Sequence, residues 1–106
     1  MRGARLLRAE LFDANLDLAD LTDADLSGGD LSGATMQGAH LAAADLDHAN
    51  FSYADLQRAD LRRADLVGVD LTGADLTGAA VSARQLGDAH LCRTTLPDGA
   101  LARPDC

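Results

Sequence analysis

Aromatic side chains are almost missing from this chain: its 106 residues include no tryptophan, one tyrosine and two phenylalanines. A core must therefore be aliphatic, and a hydrophobic content of 47% supplies enough material for one domain. No apolar run reaches the roughly eighteen residues a membrane-spanning helix needs. Residues 1–14 carry arginines but no continuous apolar stretch, so they do not read as a signal peptide, and a cytoplasmic address is expected. Basic residues are few, 9 against 17 acidic ones, for a net charge of −8. No positive field replaces phosphate counterions, which argues against direct nucleic-acid binding; the acidic surface favours solubility and a basic protein partner. Two cysteines and three histidines do not form a zinc spacing, so no metal is expected. No strand-to-helix glycine loop for a phosphate-bearing cofactor is present. His40, His48 and His90 lack a repeated Ser, Cys or carboxylate neighbour, and no enzyme is expected.

What is present is a period. From Leu6 to Leu101, every fifth position holds Leu, Met, Phe or Val, and the residue two before it is Ala, Gly or Val except at Arg84 and Thr94. An α-helix would scatter these leucines, because a step of five advances about 140° around the axis. In extended backbone, residues two apart share a face, so Ala and Leu of Ala-Asp-Leu point inward and Asp outward. The remaining two residues turn a corner. Such a unit is one side of a stacked coil, and the chain reads as a solenoid.

Runs such as Ala19-Asp20-Leu21-Thr22-Asp23, Ala24-Asp25-Leu26-Ser27-Gly28, Ala49-Asn50-Phe51-Ser52-Tyr53 and Ala74-Asp75-Leu76-Thr77-Gly78 resemble the pentapeptide repeat family, whose consensus is Ala-Asp/Asn-Leu-X-X. The resemblance runs from about Ala4 to Leu101. It implies an all-β, right-handed quadrilateral β-helix with four repeats per coil, hence about five coils in a slender rod. The expected organisation is a single domain, 1–106, with repeats over about 4–91 and a C-terminal cap over about 92–106, of a kind found in bacterial members. The function implied is a structural or protein-interaction module with an unidentified protein partner. The alternative is a DNA-mimicking protein that binds and modulates DNA gyrase or a related type II topoisomerase.

The outward positions separate these readings. Residues twenty apart should stack, so Asp25, Asp45 and Asp65 form a file of charge that could imitate DNA phosphates. Alternatively, the same short carboxylates accept backbone N–H groups at the corners. Gly28, Gly33, Gly38, Gly68, Gly73 and Gly78 fall where a type II turn needs positive φ. Ala43, His48, Tyr53, Arg58 and Arg63 share that position and resist it, so mixed turn types are expected in the middle coil. A candidate interaction surface there comprises Tyr53, Arg58, Arg62 and Arg63.

Both ends of a solenoid must be closed. Arg84 places a charge in an inward slot and is expected to snorkel or to be moved outward by a bulge. Pro97-Asp98-Gly99 reads as a terminating turn, and Cys92 with Cys106 is a candidate disulfide across the cap. Leu7, Phe12 and Leu18 put apolar groups in outward slots of the first coil, a candidate contact surface consistent with a monomer or weak homodimer. Gyrase-directed members are longer dimers joined through a C-terminal helix; no such helix is expected after Leu101, which weighs against that alternative.

Overall fold

The computed structural model describes residues 2–6 and 8–102. Its main regularity is a ladder of parallel bridges between residues twenty apart: Asp25 pairs with Asp45 and Asp45 with Asp65, Asp30 with Asn50 and Asn50 with Asp70. Twenty residues are four units, so each circuit has four sides and the chain is a stacked β-helix.

One unit shows why five residues suffice. In Leu26 to Asp30 every N–H has a partner: Leu26 and Gly28 donate to Asp45 O and Asp47 O on the next coil, and Asp30 donates to Ala9 O on the previous one. Gly29 closes the corner onto Leu26 O at 3.0 Å. The remaining N–H, of Ser27, is taken by the Asp25 carboxylate at 3.1 Å. No donor is stranded, which is the condition for burying backbone. The interior is then a stack of Leu with Met36 and Phe51, flanked by a stack of Ala; Leu21, Ala24, Leu41, Ala59 and Leu76 are all 0% exposed. Small residues suit this slot because adjacent coils pack closely over it; Val69 and Thr94 are the largest that it holds.

The corners depart from expectation. Ala43, His48, Tyr53, Arg58 and Arg63 hold φ between +58° and +61°, nearly the +67° to +71° of Gly28, Gly33, Gly38, Gly68, Gly73 and Gly78. One turn, of type II pattern, replaces the mixture expected. The left-handed conformation costs an L residue about 1–2 kcal/mol. Leaving it would cost more, because Ala43 N–H bonds Arg62 O and Tyr53 N–H bonds Thr72 O, and the next inward pair would lose register.

Arg84 neither snorkels nor sits on a bulge. The ladder is interrupted by a short helix, α1 (Ala83–Gly87), on which Arg84 is exposed and Leu86 is buried. Ser82 and Gln85 form a reciprocal capping box at its start. The register resumes with Asp70 paired to His90 and Asp75 to Thr95. A hairpin follows, β1 (Thr94–Thr95) against β2 (Leu101–Ala102), antiparallel through the turn at Pro97-Asp98-Gly99. Thr94, in an inward slot, is 0% exposed and donates its hydroxyl to Leu71 O at 2.6 Å. The Cα envelope is 32 × 24 × 22 Å, a stubby block and not the slender rod expected.

Candidate functional site

The Asp files exist as register predicts, but their side chains are engaged. One oxygen of each carboxylate, Oδ1, accepts the N–H two residues on, at 3.1 Å in Asp25, Asp45 and Asp65. Where Ser or Thr follows, its hydroxyl adds a second bond, as from Ser27 to Asp25 and Thr72 to Asp70 at 2.7 Å. These bonds to the ionised form hold the Asp20, Asp25 and Asp30 carboxyls below the ordinary range. Thr35 lacks a carboxylate, and there Asp17 of the preceding coil accepts the Gln37 N–H instead, at 2.8 Å.

The corner residues form four columns, and the register distributes the predicted site residues among them. Tyr53, Arg58 and Arg63 occupy three successive corners, so no single face joins them. Tyr53 is 63% exposed and leans over Gly73. Arg58 faces Leu18, Asp17, Gln37 and Gly38 around a shallow cavity of about 220 Å³, with a bond to Gln37 Oε1 at 3.2 Å. Phe12 and Leu18 are 56% and 76% exposed; Leu7 lies outside the described residues.

Arg62 and Arg63 meet a residue that the period alone did not bring to them. Arg84 on α1 joins them around an open groove of about 700 Å³, lined also by Ala80, Val81, Ser82 and Gln85. The signal was in the chain: Ser82-x-x-Gln85 is a helix-start pattern beside the first break in the Ala rule. Arg62 forks onto Asp60, its Nε and Nη2 at 2.9 and 2.7 Å from the two carboxylate oxygens. This pairing holds the Asp60 carboxyl down at about 2. Gln85 reaches under the helix and donates from Nε2 to Leu61 O, which also accepts the Ala64 N–H of its own corner, and to Ala64 O, the carbonyl that the lost ladder would have met.

Asp45, Asp47 and Asp65 bring carboxylate oxygens within 4.8 Å of one another, the one grouping with metal-ligand spacing among the described residues. Asp47 Oδ1 is shielded without a hydrogen-bond partner there. The Asp47 carboxyl is pushed up to about 6, first by the hydrogen bond it shares with Asp65, then by burial and by the charge of Asp45. Cys92 is buried and is not a free thiol. Its candidate partner Cys106 lies outside the described residues. No helix among the described residues is long and apolar enough to cross a membrane.

Against this geometry, the family model described as pentapeptide repeats matches in 8 copies, over residues 1–28, 30–63 and 39–78. A pentapeptide repeat protein from the Arabidopsis thaliana thylakoid lumen is 30% identical over 90% of this chain and 59% of its own, with a TM-score of 0.73. Two trypsin-treated variants of QnrB1, a plasmid-mediated fluoroquinolone resistance protein, share the fold. They are 22% and 24% identical, cover 87% and 94% of this chain and 55% and 60% of theirs, each at TM-score 0.50. The chain thus spans about three fifths of the first solved structure it matches. No protein of curated function matches the sequence.

Proposed function

The chain belongs to the pentapeptide repeat family, and from that premise we propose that it is a non-enzymatic interaction module, a right-handed coil of about five turns whose outer surface binds a protein partner. The observation that carries this reading is the closure of the interior. Leu and Ala, with Met36, Phe51 and Val69, fill the inward slots of the middle coils, so chemistry is confined to the outside, where two of the open cavities are arginine-lined. A cytoplasmic address, a monomer or weak homodimer, contacts through Phe12 and Leu18, and a bridge from Cys92 to Cys106 over the cap belong to the same reading. Affinity capture with the intact chain tests it. A specific partner should be retained by the parent and lost when Tyr53, Arg58, Arg62 and Arg63 are all replaced by Ala; equal capture by both would sink these corners as contacts.

A second reading, modulation of DNA gyrase or a related topoisomerase by DNA mimicry, is favoured by the file Asp25, Asp45 and Asp65 and by the fold shared with QnrB1. Against it stands the engagement of each of those carboxylates with its own backbone. A supercoiling assay with purified gyrase decides: unchanged rate and drug sensitivity at micromolar protein rejects mimicry.

A further inference from the structure

Resting on the interaction reading, we infer that the groove between α1 and the Arg62–Arg63 corner docks an acidic, partly apolar peptide segment of a protein partner, with Arg63 and Arg84 receiving its carboxylates.

The groove is built by one interruption of the ladder. Along the corner column that ends at Arg63, each N–H donates to the next coil: Gly3 to Thr22 O at 2.8 Å, Asp23 to Ala42 O at 3.1 Å, Ala43 to Arg62 O at 2.9 Å. The next acceptor in this series is the carbonyl of Ser82. That residue caps α1, and its oxygen accepts the Leu86 N–H at 3.1 Å instead. The Arg63 N–H is left without a partner among the described residues, at a corner that lines the groove. A donor that the repeat satisfies in three preceding coils is therefore vacant beside two guanidinium groups.

Those guanidinium groups are vacant too. Arg62 is committed to Asp60 and acts as a fixed wall, whereas Arg63 and Arg84 have no carboxylate within ion-pair distance among the described residues. All nine basic residues of the chain are arginine, and three of them line this one groove. Arginine forks match a carboxylate in two-point geometry, as Arg62 does with Asp60.

Two observations select a peptide over other anions. Ala80 and Val81 line the groove along with the arginines, apolar surface that a bare phosphate leaves unused but a Leu or Val flanking a carboxylate covers. The net charge of −8 repels a polyanion over its whole length, so a nucleic acid gains little from three local arginines. A short segment with two or three carboxylates meets the local positive field at small long-range cost. A groove of about 700 Å³ accommodates several side chains.

The test is a titration followed by ¹⁵N–¹H correlation spectra of the whole chain. The probe is the acetylated, amidated hexapeptide Leu-Glu-Asp-Leu-Glu-Leu; the comparison arms are its Gln/Asn counterpart, inorganic phosphate and a twelve-nucleotide single strand. The acidic peptide should give saturable shifts at the Arg63 amide and at Val81 to Gln85. Its affinity should fall by about tenfold or more, the worth of one charged hydrogen bond, when Arg63→Gln and Arg84→Gln are combined. The spectrum itself reports whether that variant is folded. Absence of saturable shifts, equal binding of the neutral peptide, or tighter binding of phosphate or the oligonucleotide overturns the inference. Partner capture that persists in the Arg63→Gln, Arg84→Gln variant and still needs Tyr53 or Arg58 would reject this groove while leaving the interaction reading in place.

Discussion

The ring of Tyr53 fills the space that a side chain on Gly73, one coil further on, would occupy: a Cβ built there lies 2.5 Å from both Cδ1 and Cε1. The relationship recurs at His48 with Gly68, Leu18 with Gly38 and Asp13 with Gly33. Bulky corner residues lean toward the following coil, and glycine there is needed for room as well as for its φ of +68°.

Gly73→Ala should therefore destabilise by about 1–2 kcal/mol through backbone strain alone, and more through the ring. In a Tyr53→Ala background the extra part should vanish. A double-mutant cycle by denaturant unfolding should give a coupling of about 0.5 kcal/mol or more. Strict additivity would mean that the ring is elsewhere.

Leu61→Ala should cost about 2–5 kcal/mol, because the cavity lies between coils that cannot collapse independently. Asp60→Ala should cost less than about 1.5 kcal/mol, since its bonds lie at the surface. Ala59→Leu should be poorly tolerated for the opposite reason, overpacking of a slot that is 0% exposed. The reverse order in urea unfolding would reject the assigned inward and outward phases.

The Asp45, Asp47, Asp65 group makes stability depend on pH. An unfolded aspartate titrates near about 3.9, so a folded Asp47 at about 6 holds its proton more tightly than the unfolded chain does. The stabilisation this provides is complete below the unfolded value and is lost as pH rises through about 6. Asp47→Asn should melt above the parent at pH 7.5 and close to it at pH 4, with His48 pulling weakly the other way. Parallel melting curves at both pH values would show that the carboxylates do not share a proton.

Gln85 anchors α1 through two carbonyls; Leu61 O keeps the Ala64 N–H at 3.0 Å, so Gln85→Leu should strand Ala64 O alone, at about 1–3 kcal/mol. Hydrogen exchange should then quicken over α1 before it does in the middle coils. Uniform protection would mean the helix is held by other contacts.

For the proposed cap bridge, thiol titration of non-reduced protein should find no reactive thiol. Cys106→Ser should lower the melting temperature, a bridge of this loop length being worth about 3 kcal/mol. Two titrating thiols would dismiss the bridge.

The Ala and Leu slots were legible because backbone geometry alone turns a period of five into inward pairs, and Thr94 needed only a hydroxyl partner to fit among them. The corners at His48, Tyr53 and Arg58 were not legible, because local φ preference says nothing of the ladder bonds that override it. Arg84 is legible as a misfit in an inward slot, but its meeting with Arg62 and Arg63 depends on a helix whose cap signal, Ser82 and Gln85, is embedded in the repeat. Tyr53, Arg58 and Arg63 looked like one patch because sequence distance hides which corner a residue takes.

Because residues pair at a separation of twenty, the surface is addressed by chain position in the manner of a screw thread. Removing one five-residue unit upstream would swing every later outward side chain about 90° around the axis, onto a neighbouring face, while leaving all inward slots filled. Duplicating a whole circuit would slide the same side chains along the axis by about 4.8 Å without turning them. Insertions and deletions can thus re-aim or space out a recognition feature such as the Arg62–Arg63 corner without a single substitution, a freedom that a globular core does not offer.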